Sequence, residues 1–301
     1  MENLIIGVDH GYAAMKTHHC VFPTGLVAHG YAPYTTKNVL KYGGKYYVVG
    51  SGRQPIQKDK TQAEDYYLLT LAAVAQELQV LKADWCANIH LAAGLPLTSF
   101  GRDRERFRAY LLRDRQPVSF RYEEHDFRIA VTQVSLFPQG YAAALLRPEL
   151  AQRDSVNIID IGGWTCDLMR VNKRVPDAST CRSLEQGVIR CMDEMSEQIR
   201  REFALSVPAA QIQSVLQGRD GGLQKNVEDL IHQQATEYVQ HLLSFVAESG
   251  MDIYATPTIF MGGGASLIRR YASNMELFRQ PVIVEDVSLN AKAYEFLAGK
   301  V

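Results

Sequence analysis

Residues 156–167 read VNIIDIGGWTCD. The apolar run over 156–160 predicts a buried β-strand that delivers Asp160 into a turn containing Gly162 and Gly163. Glycines in such a turn let backbone N–H groups face an anion, and a second acid, Asp167, follows on the return. The stretch therefore predicts either an anion-binding turn or an ordinary β-hairpin turn.

The beginning of the chain carries the same kind of motif, since residues 4–16 read LIIGVDHGYAAMK. A predicted buried strand over 4–9 ends in Asp9, with Gly11 in the turn and Lys16 beyond it. The lysine offers a point charge to a phosphate, and the carboxylate is a ligand that Mg²⁺ accepts. Alone, this motif leaves a plain turn as the alternative.

A third glycine turn lies near the end of the chain, where residues 258–266 read TIFMGGGAS. A predicted strand runs into Gly262, Gly263 and Gly264, and a helix is expected to follow. Glycines between a strand and a helix let a ligand lie against the backbone, although a flexible loop is the alternative. The stretch matches neither GxxxxGK[ST] nor GxGxxG, so it supports neither a Walker nor a Rossmann site.

Strands and helices alternate along both halves of the chain, which predicts an α/β fold. The predicted strands lie at 4–9, 14–21, 41–50 (a hairpin around a Gly-Gly turn), 89–93, 118–122, 127–134, 156–160, 168–171, around 175, 258–261 and 281–284. The predicted helices lie at 64–82, 101–113, 142–146, 187–203, 208–217, 224–248 and 290–297. The second half restarts with a strand that ends in an acid, so the chemistry of the first half is repeated in coarse form.

Composition narrows the class of protein. With 301 residues, 47% of them hydrophobic and 22% charged, the chain is typical of a globular protein of two domains. A net charge of −1 argues against a protein whose main task is to grip nucleic acid. The longest nearly apolar run, 67–75, is shorter than the roughly 18 residues of a membrane helix, and the first residues do not form a signal-peptide pattern. Five scattered cysteines predict a reduced, cytosolic protein without structural disulfides.

Two further groups of residues have simpler interpretations. His18 and His19 fall on a predicted strand, where neighbouring side chains face opposite ways, so joint metal binding is not expected. Four arginines alternate with other residues on a predicted charged helix: Arg102, Arg104, Arg106 and Arg108. They form either a solvated helix face or a surface for interaction with a partner.

Taken together, the order and spacing of the three glycine turns, with Gln139 and Gly140 between the first two, resemble the actin-like ATPases. Finer motifs resemble one branch, the ParM/StbA plasmid-segregation actins. These motifs are GVDHGY at 7–12 with Lys16, KYYVVG at 45–50, LAAGLPL at 91–97, FPQGYA at 137–142 and NAKAY at 290–294. The resemblance spans nearly the whole chain.

The resemblance implies an actin-like ATPase fold, in which two ribonuclease H-like domains surround a nucleotide cleft. The first domain is expected over 1–150, with a closing helix over 288–301 that returns to it. The second is expected over 151–287.

The resemblance also assigns roles to residues. Asp9 and Asp160 match the acids around the Mg²⁺ ion, and Lys16 matches the lysine that contacts the β- and γ-phosphates. The remaining phosphate-turn residues are Gly11, Tyr12, Gly162 and Gly163, and the turn under the adenosine and α-phosphate is Gly262, Gly263 and Gly264. Gln139 matches the residue that orients the attacking water, as a glutamine does in GTPases, which implies slow hydrolysis.

Some positions depart from the family pattern. Trp164 stands where a small residue is usual, and Cys166 stands where threonine is common. Glu194 and Glu197 on the predicted helix 187–203 are candidate ribose ligands, with a solvated helix face as the alternative.

The family resemblance implies a cytoplasmic, filament-forming ATPase that segregates plasmid DNA. Its cofactors would be ATP and Mg²⁺, with GTP left open as the nucleotide. Its partners would be other copies of itself and a ParR-type adaptor on centromeric DNA, with no direct sequence-specific DNA contact and no membrane contact. Two alternatives remain in the same superfamily: a small-molecule kinase, and a nucleotide-binding regulator that does not polymerise. A kinase needs a catalytic carboxylate, whereas the connector here carries Gln139.

Overall fold

The computed structural model describes residues 2–54 and 59–300. These residues form two compact units. One comprises Met1–Leu146 with Ser288–Val301, and the other comprises Arg147–Val287. The sequence-based division placed the boundaries after residues 150 and 287, so the first boundary of the structure lies slightly earlier in the chain. Met1 and Val301, the predicted ends of the first domain, lie outside the described residues.

The first unit is built on a nine-stranded sheet with the order β3-β2-β1-β7-β9-β8-β5-β6-β4. Its strands are β1 (Glu2–His10), β2 (Ala14–Lys16), β3 (Val21–Pro23), β4 (Leu26–His29), β5 (Val39–Tyr42), β6 (Lys45–Val49), β7 (Cys86–Leu95), β8 (Val118–Tyr122) and β9 (His125–Pro138). Its helices are α1 (Asp65–Leu81), α2 (Leu97–Leu112), α3 (Tyr141–Leu145) and α9 (Leu289–Ala298). The central strands β1, β7 and β9 run parallel, so their carboxyl ends meet at one edge of the sheet.

The two faces of this sheet are covered by different helices. Ile6 and Val8 are fully buried in an apolar cluster that includes residues of α1 and α2. Gly7, between them, points to the other face. There α9 packs so closely that a Cβ at Gly7 would lie 2.0 Å from the carbonyl oxygen of Ala291. The close approach of α9 therefore requires glycine at this position and brings the last helix back to the first unit.

The second unit contains a five-stranded sheet with the order β12-β11-β10-β13-β14. Its strands are β10 (Ser155–Ile161), β11 (Cys166–Asn172), β12 (Val175–Leu184), β13 (Thr258–Met261) and β14 (Val282–Ile283). Its helices are α4 (Pro148–Ala151), α5 (Val188–Phe203), α6 (Ala209–Leu216), α7 (Lys225–Glu248) and α8 (Ala265–Tyr271), and a short 3-10 turn spans Met275–Leu277. Ile159, Ile161 and Phe260 of the sheet pack in one apolar cluster with residues of α5, α6 and α7.

Most predicted elements are present, with shifted ends. The helix predicted from residue 101 begins at Leu97, with Pro96 at the N-cap position. The prediction missed the first turn because it rested on the charged residues, which begin only at Arg102. The strand predicted at 14–21 is interrupted: β2 ends at Lys16, and residues 17–20 form a loop before β3. That prediction was wrong because Thr17 bonds the carbonyl of Cys20 across the loop instead of continuing the ladder.

Candidate functional site

The first glycine turn, residues 9–16, joins β1 to β2. Asp9 and Lys16 are paired residues of these strands, and the Asp9 Oδ2 to Lys16 Nζ distance is 2.9 Å. The Asp9 residue is only 3% exposed. The hydroxyl of Thr24 donates to the carbonyl of Gly11 at 2.7 Å, and the Thr24 amide donates to the carbonyl of Ala13. The residue that follows β3 thus braces the turn, which keeps a buried carboxylate and an ammonium group side by side.

His10, next to Asp9, is a buried neutral side chain. Burial, followed by the nearby charge of Lys60, lowers the pKa of His10 to about 3, although Asp9 acts in the opposite direction. Its Nε2 is 2.8 Å from the hydroxyl of Thr70 on α1. The first glycine turn is therefore anchored into the core at its start.

Gln139 lies at the edge of the sheet that also carries Asp9. It follows β9, and its amide donates to the carbonyl of Leu95 at the end of β7. Since β7 stands between β1 and β9, two strand spacings, or roughly 10 Å, separate the backbones that carry Asp9 and Gln139. The amide of Gly140 donates to Asn290 of α9 at 3.0 Å, and this contact fixes the turn after Gln139. The half-buried Gln139 is thus placed by bonds on both sides.

The second glycine turn, residues 160–167, joins β10 to β11, with Asp160 paired to Asp167. Both acids are buried, at 2% and 7% exposure. Asp167 accepts hydrogen bonds from the hydroxyls of Ser183 and Thr165. The amide of Gly162 donates to the carbonyl of Thr165 at 2.8 Å, which closes the turn. Two hydroxyl groups of the same unit therefore hold the Asp167 carboxylate in place.

The start of α5 orients the peptide groups of this turn. The carbonyls of Gly162, Gly163 and Trp164 accept from the amides of Val188, Ile189 and Gly187, at 3.1, 2.8 and 2.8 Å. In a trans peptide the N–H points opposite to the C=O. The N–H groups that follow these carbonyls therefore point away from α5. Such a row of amides is an arrangement that binds anions.

The third glycine turn packs directly on the second. Gly262 has φ +86°, and a Cβ there would lie 2.3 Å from Oδ1 of Asp160. The amide of Gly264 donates to the carbonyl of Ile161 at 2.9 Å. By contrast, a Cβ on Gly263 would meet no described atom within 4 Å. The structure thus brings Asp160, Gly162, Gly163 and the three glycines 262–264 together in the second unit.

Other predicted residues have different surroundings. Glu194 is exposed and its Oε1 lies 3.0 Å from Nε of Arg190, while Glu197 pairs with Arg200 and Arg201. Both lie on a charged helix face, and their role as ribose ligands stays a prediction. Trp164, which departs from the family pattern, is half-buried. Cys166, the other departure, is buried, and its burial together with the charges of Asp167 and Asp160 raises the pKa of its thiol.

The histidine pair is arranged differently from the prediction. His18 and His19 lie in the loop between β2 and β3, and their rings stack with centroids 4.3 Å apart, so the expectation of opposite directions was wrong. His18 Nδ1 lies 2.8 Å from Glu295, and His19 is paired with the buried Glu77. Within residues 2–54 and 59–300, no group of three His, Cys, Asp or Glu side chains is arranged to hold a metal.

The arginines of α2 are each engaged by acids close in the fold. Arg102 and Arg106 both pair with Asp103, Arg104 and Arg108 pair with Glu105, and Arg106 also reaches Asp59 at 3.0 Å. Such exposed pairs are typical of a solvated helix face.

The donors near the turns fit Mg²⁺ as ATP enzymes use it. That ion is commonly held by one or two carboxylates, with waters and phosphate oxygens completing its shell. Asp9 and Asp160 are buried carboxylates at strand ends, and each adjoins a glycine turn. A protein cage of three or more ligands is not required for such an ion.

Sequence reasoning missed two residues at the first glycine turn. Thr24, just after β3, donates to the carbonyl of Gly11, and Lys60 donates to the carbonyl of His10. Neither Thr24 nor Lys60 lies in a recognised motif. The glycine pattern of the turn does not indicate which distant residues contact it.

Comparison with known proteins identifies both units. Residues 7–141 match the family model of the N-terminal domain of actin-like proteins. Residues 158–272 match the model of the C-terminal domain of the archaeal MreB-like actin homologue. No curated protein sequence matches the chain.

Solved structures resemble the chain over its full length. The archaeal actin homologue Ta0583 in complex with ADP has a TM-score of 0.78 at 20% identity, covering 99% of this chain and 100% of that one. A 15-stranded ParM filament from Clostridium botulinum has a TM-score of 0.77 at 17% identity, with 100% of both chains covered. Bacillus thuringiensis ParM with ATP has a TM-score of 0.72 at 14% identity, again with 100% of both chains covered.

These matches confirm the actin-like fold and the resemblance to ParM-type actin-like proteins that the motifs predicted. Two actin-like family models, one in each unit, and an actin fold that spans the chain show that this protein is built from actin-like domains.

Proposed function

We propose that this chain is an ATP-hydrolysing, filament-forming protein that segregates plasmid DNA. The observation that carries the proposal is the repeated arrangement of a buried acid at a strand end beside a glycine turn, Asp9 in one unit and Asp160 in the other. Actin-like domains in both units and the ATP- and ADP-bound structures among the similar proteins support a nucleotide as the ligand.

Both units would contribute residues to nucleotide binding. In the first unit, Lys16, Gly11 and Tyr12 would contact the β- and γ-phosphates. In the second unit, Gly162 and Gly163 would form the phosphate turn, in which the amides of Gly163 and Trp164 point away from α5. Glycines 262–264 would lie under the adenosine and α-phosphate. The open space beside Gly263 supports this assignment.

Asp9 and Asp160 would hold Mg²⁺ through its waters or directly. The ion would supply charge neutralisation for the phosphates. Gln139 would orient the attacking water, because an amide can hold a water in line although it is a poor base. The bonds that fix the backbone on both sides of Gln139 support a positioning task.

The proposal extends from ATP hydrolysis to filament formation and plasmid segregation. The similar structures include filaments, among them the ParM filament from Clostridium botulinum. A filament would bind a ParR-type adaptor on centromeric DNA in the cytoplasm, and the net charge of −1 suits contact with DNA through such an adaptor. Among the described residues, no helix combines the length and apolar character that a membrane crossing needs.

Phosphate release tests the proposal. Purified protein is given ATP or GTP with Mg²⁺ over a range of protein concentrations, and the released phosphate and the pelleted protein are measured together. We expect turnover per chain to rise with protein concentration as polymer accumulates, and Asp160→Asn to abolish both signals. Turnover that is constant per chain, with no pellet, would favour a regulator that does not polymerise. Release of ADP without phosphate, only when a small hydroxylated substrate is added, would favour a kinase.

A further inference from the structure

Lys60 lies just before α1 and reaches the first glycine turn of the same unit. Its Nζ donates a hydrogen bond to the carbonyl oxygen of His10. The ammonium group is also 4.9 Å from the ring centroid of Tyr12 and 5.3 Å from that of Tyr66. A lysine distant in sequence therefore contacts the turn at His10 and again at Tyr12.

The part of the turn that Lys60 contacts is rigidly held. The His10 residue is 2% exposed, its Nε2 lies 2.8 Å from the hydroxyl of Thr70, and its ring is nearly perpendicular to that of Phe107 at a centroid distance of 5.2 Å. Because the side chain of His10 is fixed in the core, its carbonyl oxygen is a fixed acceptor. A hydrogen bond from Lys60 to that oxygen therefore fixes the ammonium group relative to the backbone of Gly11 and Tyr12.

The contact lies beside a small cavity. Tyr12, Lys60 and Ser99 are among the residues that line this cavity of about 50 Å³. Arg106 also lines it, but Asp59 and Asp103 each hold the Arg106 guanidinium at 3.0 Å. The half-buried Lys60 is thus placed to act on the turn from a site that solvent reaches.

We propose that Lys60 is a positioning residue of the first glycine turn and adds positive charge for the polyphosphate of the nucleotide. The inference rests on the proposed function, since it assigns a role to Lys60 in binding ATP. A cation on the His10 carbonyl holds the following amides in place. A positive charge beside the turn also attracts phosphate, and the attraction is stronger where the charge is partly shielded from water. The contribution of Lys60 to affinity should therefore increase with the number of phosphates near the turn.

A set of binding measurements tests this role. Dissociation constants of adenosine, ADP and ATP with Mg²⁺ are measured by calorimetry for the wild type, Lys60→Met and Lys60→Arg. Lys225→Met serves as the control, because the side chain of Lys225 is 90% exposed on α7 of the other unit. For Lys60→Met we expect the Kd of ATP to rise about tenfold and that of ADP about threefold, with adenosine unchanged. Lys60→Arg keeps the charge and should bind ATP within about threefold of the wild type.

The outcomes separate the two proposals. A wild type that binds no nucleotide overturns the proposed function and the role of Lys60 with it. A wild type that binds ATP, with Lys60→Met binding equally well, overturns the role of Lys60 alone. An equal weakening of all three ligands by Lys60→Met shows a structural role and also overturns the inference. If Lys60→Met fails to fold, Lys60→Arg decides: ATP binding that is tenfold weaker in this folded, charged variant contradicts the proposal.

Discussion

Gly262 and Gly263 are adjacent, yet alanine should lower stability at the first position and weaken nucleotide binding at the second. At Gly262 the backbone has φ +86°, which costs an alanine about 1–2 kcal/mol. The new methyl group would also lie 2.3 Å from Oδ1 of Asp160 and 2.6 Å from the carbonyl oxygen of Ile161, against a normal carbon–oxygen contact of about 3.3 Å. Groups in this turn must therefore move by about 1 Å, and such overpacking costs roughly 1–3 kcal/mol more.

We expect Gly262→Ala to lower the free energy of unfolding by about 3 kcal/mol, the sum of these two costs. Gly263→Ala meets no described atom within 4 Å, so its free energy of unfolding should change by less than about 1 kcal/mol. In the proposed site, however, that open space belongs to the nucleotide, so Gly263→Ala should weaken ATP binding at least about tenfold.

Urea unfolding and calorimetric ATP titration measure the two effects separately. Gly30→Ala is the matched control, because a Cβ there also meets nothing within 4 Å and the residue lies in an exposed loop far along the chain. It should leave both quantities unchanged. Equal stability of Gly262→Ala and Gly263→Ala would refute the packing argument. Unchanged ATP affinity of Gly263→Ala would refute the assignment of the nucleotide to this turn.

Three further outcomes are expected. Gln139→Ala should lower kcat for ATP hydrolysis about 100-fold while ATP affinity stays within threefold, and an equal loss in both would contradict the water-positioning role. The pKa of His10 falls to about 3 on folding, so stability is fully present above pH 6.5 and should fall by about 1.4 kcal/mol per pH unit between 6.5 and 3. Urea unfolding at a series of pH values should show that the unfolding free energy of His10→Gln depends less steeply on pH over that range. Glu77→Ala removes the acceptor of Thr17 and His19 and should lower the free energy of unfolding by about 3 kcal/mol. The control Glu248→Ala, at an exposed position, should lower it by less than about 0.5 kcal/mol in the same urea measurements.

The strands and glycine turns could be predicted from the sequence because their signals are local. An apolar run such as 156–160 predicts a buried strand, and β10 is found over Ser155–Ile161. The acid that ends it and the two glycines that follow predict a turn, and the turn closes between Gly162 and Thr165. Each step uses residues that are neighbours in the chain.

The contacts that support the turns could not be predicted, because their partners are distant in the chain. Lys60 reaches His10, and Glu77 of α1 holds the loop that carries His19. The stacking of His18 on His19 depends on Glu295 and Glu77, which lie on two different helices. Alternation along a strand predicted opposite directions for these rings, and the tertiary contacts overrode it.

Right-angle light scattering tests the central claim most directly. Wild type and Asp160→Asn are brought to a series of concentrations, and ATP or ADP is added with Mg²⁺. We expect scattering by the wild type to rise with ATP above a critical concentration, to remain low with ADP, and to stay at baseline for Asp160→Asn. Flat scattering of the wild type at every concentration, in samples that bind ATP by calorimetry, would contradict the proposal that this actin-like protein forms ATP-dependent filaments.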